Sequence, residues 1–195
     1  HQRHHQAARD DHGRPEIPAQ RQEAGGQAVG QEGIGQPRAR QDAVIRDYVG
    51  EAFATGIDDV VLVGCGGSHF GTCPAFDLLD RNTAAFSSHR ISSAEFTAAP
   101  PAWLGPRTLV VAASHSGNTP ETVEAAEFAA AHGARVVGIS REGVNGLSST
   151  GLHLDYPESI TITEPKLVLN ELIAIALLES AGSDADTAAL RASLP

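Results

Sequence analysis

From residue 42 onward, short runs of β-branched and apolar residues alternate with helix-length segments, and only a few residues separate one from the next. Strands interleaved with helices in this way pair in parallel, with the helices crossing over to cover both faces of the sheet. Ile45, Tyr48, Val49, Ala52 and Phe53 share one helical face, and Gly56 closes that helix just before Asp58 and Asp59. Residues 60–63 then form a short β-branched run that predicts a buried parallel strand. A second helix runs through Phe76 and Leu79, with Pro74 in its first turn and Asp77 four residues ahead of Arg81. Residues 86–92 predict the second strand; Ser92 and Glu95 have capping-box spacing for a short helix that Pro100 and Pro101 stop. Residues 109–113 are the third strand. Thr119 is a good N-cap, Pro120 suits the first helical position, and Glu121 complements the dipole of a helix running to Gly133. Residues 135–139 and, beyond a Gly/Ser-rich loop, 152–156 complete five strands. The last long helix begins near Glu164 and presents Leu169, Leu172, Ile173, Ala176 and Leu177 to the core before Gly182. The predicted fold is α/β, a doubly wound parallel sheet of five strands flanked by helices.

Composition separates this region from what precedes it. Residues 1–41 hold eight Gln, six Gly, six Arg and four His, and Ile17, Val29 and Ile34 are their only large aliphatic residues. Such a segment buries too little apolar surface to offset its chain entropy, so 1–41 is expected to be a disordered or non-native tail. With no Met anywhere, position 1 included, the chain reads as a fragment. The early histidines, His1, His4, His5 and His12, read as a solvated tail, and no metal site is expected. Cys65 and Cys73 are too few and too oddly placed for a disulfide framework or a zinc site. No run approaches the roughly 18 apolar residues of a membrane span, and no signal-peptide core is seen, so a cytoplasmic protein is expected. The net charge of −10 without a basic cluster excludes nucleic acid as a partner. An anionic small ligand would have to be held locally, by backbone N–H groups and hydroxyls.

Open α/β sheets bind ligands beyond the C-terminal ends of their strands, and two loops lie there. The first follows the first strand and contains Gly64, Cys65, Gly66, Gly67, Ser68, His69 and Phe70; its glycines let backbone N–H groups approach an anion. The second follows the third strand and contains Ser114, His115, Ser116, Gly117, Asn118 and Thr119, three hydroxyls beside a helix start. Together they form a neutral phosphate cradle in which helix dipole and hydroxyls replace lysines. Other readings fail on particular residues. His69 breaks the G-x-G-x-x-G spacing of a dinucleotide site, and the second strand ends in Ser92 where a ribose would need an acid. A P-loop needs Gly-Lys-Ser/Thr, which is absent, and neither Ser114 nor Ser116 has the flanking glycines of a nucleophile elbow. No cofactor is expected.

Residues 64–68 and 114–119, with Ser93, Ala94, Glu95 and Phe96 between them, resemble the first SIS (sugar isomerase) domain of the isomerase half of glucosamine 6-phosphate synthase and its relatives. The Gly-Cys-Gly-Gly-Ser opening, the Ser-His-Ser-Gly-Asn-Thr-Pro-Glu-Thr run and Glu164-Pro165-Lys166 more closely resemble the fructoselysine 6-phosphate deglycase branch. The resemblance covers residues 44–182 and implies a flavodoxin-like three-layer sandwich, with 42–182 as the phosphosugar-binding domain. It implies that the hydroxyls of Ser68, Ser114, Ser116 and Thr119 hold a sugar phosphate and that His115 and Asn118 line the site, beside Gly66 and Gly67. It also implies a homodimer formed through this domain. Members of this branch carry two such domains in tandem, with the catalytic glutamate and histidine supplied by the second domain or a partner subunit; residues 183–195 then read as a remnant leading toward it.

Ring opening and proton transfer beside a carbonyl or imine carbon need a positioned acid and base. Glu164 and Lys166 are the one pair in this chain that could serve. Lys166 is the sole lysine, and at a helix N-terminus its charge opposes the dipole, so Glu164 or a bound anion would compensate it. The expected function is phosphosugar binding within an isomerase, deglycase or aminotransferase acting on ketose or aminosugar 6-phosphates. The alternative is a non-catalytic phosphosugar sensor. A sensor of the transcription-regulator type would follow a DNA-binding helix-turn-helix, and residues 1–41 have no apolar periodicity to build one.

Overall fold

The third strand is apolar almost throughout, which only a sheet covered on both faces can accommodate. The computed structural model describes residues 38–157 and 163–194. Among them, β1 (Asp59–Gly64), β2 (Ser87–Ser92), β3 (Thr108–Ala113), β4 (Arg135–Arg141) and β5 (Leu152–Tyr156) form one parallel sheet in the order β2-β1-β3-β4-β5. Successive side chains point to opposite faces. Val60, Leu62, Leu109 and Val111 join one core, under α1 (Arg38–Ala54), α3 (Cys73–Asn82) and α6 (Glu164–Ser180). Val61, Val63, Val110 and Ala112 join the other, under α4 (Ser93–Ala98) and α5 (Pro120–Ala131). Each fully buried Val or Leu contributes about 1.5–3 kcal/mol. The predicted α/β sandwich of five parallel strands is the observed fold.

The chain leaves β1 toward β2 on one side, then returns so that β3 pairs with β1 on the other. Gly64 stands beside Ala113 at the shared C-terminal ends. This reversal of direction opens a crevice between the two following loops, and it is where the two motifs lie.

Four details differ from the sequence reading. The first helix begins at Arg38, inside the segment assigned to the tail; Gln41 is buried and its Nε2 donates to the Asp155 carbonyl, an anchor that composition does not reveal. The rest of the predicted tail, 1–37, lies outside the described residues. The glycine-rich loop contains a helical turn, α2 (Gly67–Phe70), before α3 starts. A 3-10 turn, Gly146–Ser149, sits within the loop before β5. Residues 187–193 form α7 (Thr187–Ser193), capped by Asp186 Oδ1, which accepts from Ala189 N–H at 2.9 Å. Its Arg191 pairs with Asp42 of α1 and, at 2.9 Å, with Glu179 of α6.

Candidate functional site

Both motif loops emerge at the C-terminal edge of the sheet, one from β1 and one from β3. Gly66 turns the first loop at φ +51°, and side-chain space beside both Gly66 and Gly67 is open. The turn carries Ser68 inward, where it is buried, and places its hydroxyl against α6. There Lys166 Nζ donates to Ser68 Oγ at 2.9 Å. Lys166 is 3% exposed, and burial lowers its pKa from the ordinary lysine value. A neutral hydroxyl compensates a buried ammonium less than an anion would. Ser68 accepts in this bond and keeps its own O–H for another acceptor.

The serine loop distributes its hydroxyls unevenly. Ser114 is 1% exposed, and its Oγ lies 2.8 Å from Thr119 Oγ1 while accepting from Gly117 N–H at 3.2 Å. One of the two O–H groups is therefore spent within the pair, leaving the other to donate outward. Ser116 Oγ accepts from Asn118 N–H at 3.1 Å and retains its proton. Thr119 occupies the N-cap position of α5, as expected, but makes no side-chain cap bond. The reason is local: buried Ser114 Oγ needs a partner, and the Thr119 hydroxyl supplies it in place of capping the helix.

His115 and Asn118 turn toward neighbouring elements. His115 Nδ1 lies 3.1 Å from the Tyr156 hydroxyl at the end of β5. Burial pushes the Tyr156 phenol up to about 12, so it stays protonated. Asn118 Oδ1 accepts from Gly146 N–H at 2.8 Å. Thr122 of α5 ties the first loop to both helices of its layer: its Oγ1 donates to Cys65 Sγ at 3.8 Å and lies 3.1 Å from Ser93 Oγ of α4.

Glu164 and Lys166 stand two positions apart on α6, so they do not share a face. Lys166 is buried against Ser68, whereas Glu164 is exposed at the helix start. The partner of Lys166 that the sequence reading did not foresee is thus Ser68, 98 residues away. Tyr156 was also missed; its one signal was its place at a strand's C-terminal end. Among the described residues, no group of three or more His, Cys, Asp or Glu is placed to hold a metal ion. Among the same residues, no helix is long and apolar enough to cross a membrane.

The family model described as SIS domain matches residues 56–176, which span every strand and both motif loops. The chain belongs to the SIS domain family. Fructosamine deglycase FrlB of Bacillus subtilis (strain 168) is 36% identical over 107 residues, 55% of this chain and 33% of the relative. The bifunctional phosphoglucose/phosphomannose isomerase of Caldicellulosiruptor bescii is 36% identical over 91 residues, 46% of this chain and 25% of the relative. Among solved structures, a candidate phosphosugar isomerase from Salmonella typhimurium LT2 superposes with a TM-score of 0.71 at 27% identity, over 80% of this chain and 48% of that one. The SIS chain described here thus spans a third or less of the curated relatives it matches and about half of that structure.

Proposed function

We propose that this SIS domain binds a phosphorylated ketose or aminosugar in the crevice between β1 and β3, as the phosphosugar-binding part of an isomerase or deglycase. The observation that carries the reading is the buried Lys166 ammonium held on the Ser68 hydroxyl at 2.9 Å. A charge held on the loop after β1, at the same edge of the sheet as the hydroxyls of the loop after β3 and the N-terminus of α5, suits a phosphate dianion. The donors are Ser68, Ser116 and the outward O–H of the Ser114 and Thr119 pair. The relatives' names, a fructosamine deglycase and a phosphoglucose/phosphomannose isomerase, support the sugar class.

The same chemistry assigns roles in proton transfer. Burial lowers the Lys166 pKa, which makes its ammonium a readier proton donor to a ring or carbonyl oxygen. Glu164 is exposed on another face of α6, so we assign it the lesser part; acid and base groups from outside this chain complete the reaction. The reading further takes the protein to be a cytoplasmic homodimer, which the resemblance of its motifs supports and sedimentation of the purified chain tests.

Calorimetric titration of the full chain with fructose 6-phosphate, fructose and inorganic phosphate tests the binding reading. Fructose 6-phosphate should bind, phosphate more weakly, and fructose hardly at all. Equal affinity for fructose and its phosphate would refute it. Turnover by the chain alone should be slow or absent, and robust isomerisation without a partner would transfer the whole acid–base role to Lys166 and Glu164. Tight binding that stays silent in any partner-complemented assay would favour the sensor reading instead.

A further inference from the structure

The serine loop is held in shape from outside itself. Gly117 stands at φ +69°, and its carbonyl accepts from Leu147 N–H at 3.1 Å. Asn118 Oδ1 accepts from Gly146 N–H at 2.8 Å. Both donors belong to the 3-10 turn Gly146–Ser149, and the residue that organises this turn is Asn145. Its Oδ1 accepts from Leu147 N–H at 3.1 Å; its Nδ2 donates to Ser140 Oγ at 2.9 Å and to the Gly143 carbonyl at 3.0 Å. Its backbone N–H donates to Ser148 Oγ at 3.1 Å. The anchor beneath is firm, because Ser140 is buried with its Oγ 2.7 Å from His153 Nε2, and Leu147 is fully buried in the core under α5. The Asn145 amide also lies against the loop: a Cβ on Gly117 would fall 2.2 Å from Asn145 Cγ.

We infer that Asn145 is a positioning residue for the phosphosugar site, locking the serine loop into its binding shape through Gly117 and Asn118. The inference rests on the reading of that loop as the phosphate cradle. A Ser-Gly-Asn segment cut loose from the turn samples many backbone states, and the apparent affinity falls in proportion to the fraction of time spent in the competent one. Affinity therefore depends on a side chain anchored on β4 and the turn that follows it. Asn118 is the other half of the same junction, serving the loop's shape through Gly146.

The test uses the full chain and three variants, Asn145→Ala, Asn118→Ala and the two combined. Asn118 is exposed, so Asn118→Ala breaks the junction without endangering the core. Each variant is titrated with fructose 6-phosphate, and the amide resonances of Ser116 and Gly117 are followed by NMR with and without ligand. Each single variant should lose about tenfold in affinity, and the double variant should lose much less than the product of the two, because both break one device. In the free variants the loop amides should shift and broaden, and saturating ligand should return them to wild-type positions. A merely structural role would lower the melting temperature and leave the free loop amides as in wild type; that outcome overturns the inference, as does wild-type affinity in Asn118→Ala. Should the wild-type chain bind no sugar phosphate, the functional reading falls, and the free-state loop amides still decide the matter: unchanged resonances in both single variants refute the coupling.

Discussion

Lys166→Met separates a lysine kept for a ligand from one kept for the fold, because the two cases move stability in opposite directions. In the free protein the ammonium is 3% exposed and is held by the Ser68 hydroxyl. Burial depresses its pKa, so below the ordinary lysine range the unfolded chain holds this proton more tightly than the folded one. By linkage, stability then rises with pH from the depressed folded value up to the unfolded value of about 10.4. Replacing the charge with a side chain of similar volume removes that cost, and the effect on stability is expected to be neutral to favourable, in the range of about 0–4 kcal/mol. Binding changes the other way. Loss of one charge-assisted hydrogen bond to phosphate costs about 1.5–3 kcal/mol, on the order of ten- to a hundredfold in affinity. The assay is a set of thermal melts for wild type and Lys166→Met across the alkaline range, beside calorimetric titration with fructose 6-phosphate. The raised pKa values of Tyr48 and Tyr156 contribute a slope of opposite sign to both proteins, so the difference between them isolates Lys166. A variant that is clearly less stable than wild type yet binds fructose 6-phosphate equally well would refute the reasoning and make Lys166 a structural residue.

The hydroxyls of the serine loop should respond according to their partners. Ser116→Ala removes a free donor and should cost about ten- to a hundredfold in affinity, with a melting temperature little changed because the Asn118 N–H it releases is exposed to water, measured by titration and calorimetric melt. Ser114→Ala leaves the Gly117 N–H without its acceptor, so it should cost about 1 kcal/mol of stability while Thr119 still donates to the ligand. Thr119→Ala should cost affinity and also about 1 kcal/mol of stability, because its hydroxyl, though it makes no cap bond, is the partner of the buried Ser114 Oγ. Gly117→Ala should fail in both assays: φ +69° is strained for alanine and the new Cβ overlaps the Asn145 side chain, a combined cost of about 2 kcal/mol or more.

The layout of the fold was legible because each element announces itself within its own few residues. Residues 60–63 and 109–113 could only be buried strands, and Pro120 and Gly133 bracket α5 without help from the rest of the chain. What escaped were elements whose signal is polar and whose partner is distant. Gln41 reads as one more residue of a Gln-rich tail, yet its amide is anchored on Asp155, 114 positions away. The helix α7 has no buried residue of its own; its place is set by Arg191 reaching Asp42 and Glu179. No local pattern in 183–195 encodes that ion pair.

The site shows the same division more sharply. Sequence exposes which atoms a loop owns, and Ser68, Ser114, Ser116 and Thr119 were all readable as hydroxyls at the right end of the right strands. It does not expose which of those atoms the protein has already engaged. Capping preference made Thr119 an N-cap, but capping is worth only about 1 kcal/mol, and satisfying a buried hydroxyl at position 114 is worth as much or more. The same competition explains Lys166. Helix-dipole reasoning placed a strained cation at the start of α6 and sought its compensation in a bound anion or in Glu164, the latter two residues away on a helix that turns about 100° per residue. Three-dimensional packing brought it to Ser68, 98 residues away in the chain. A single hydrogen bond thereby joins the lysine of α6 to the loop after β1, a link that neither motif contains alone.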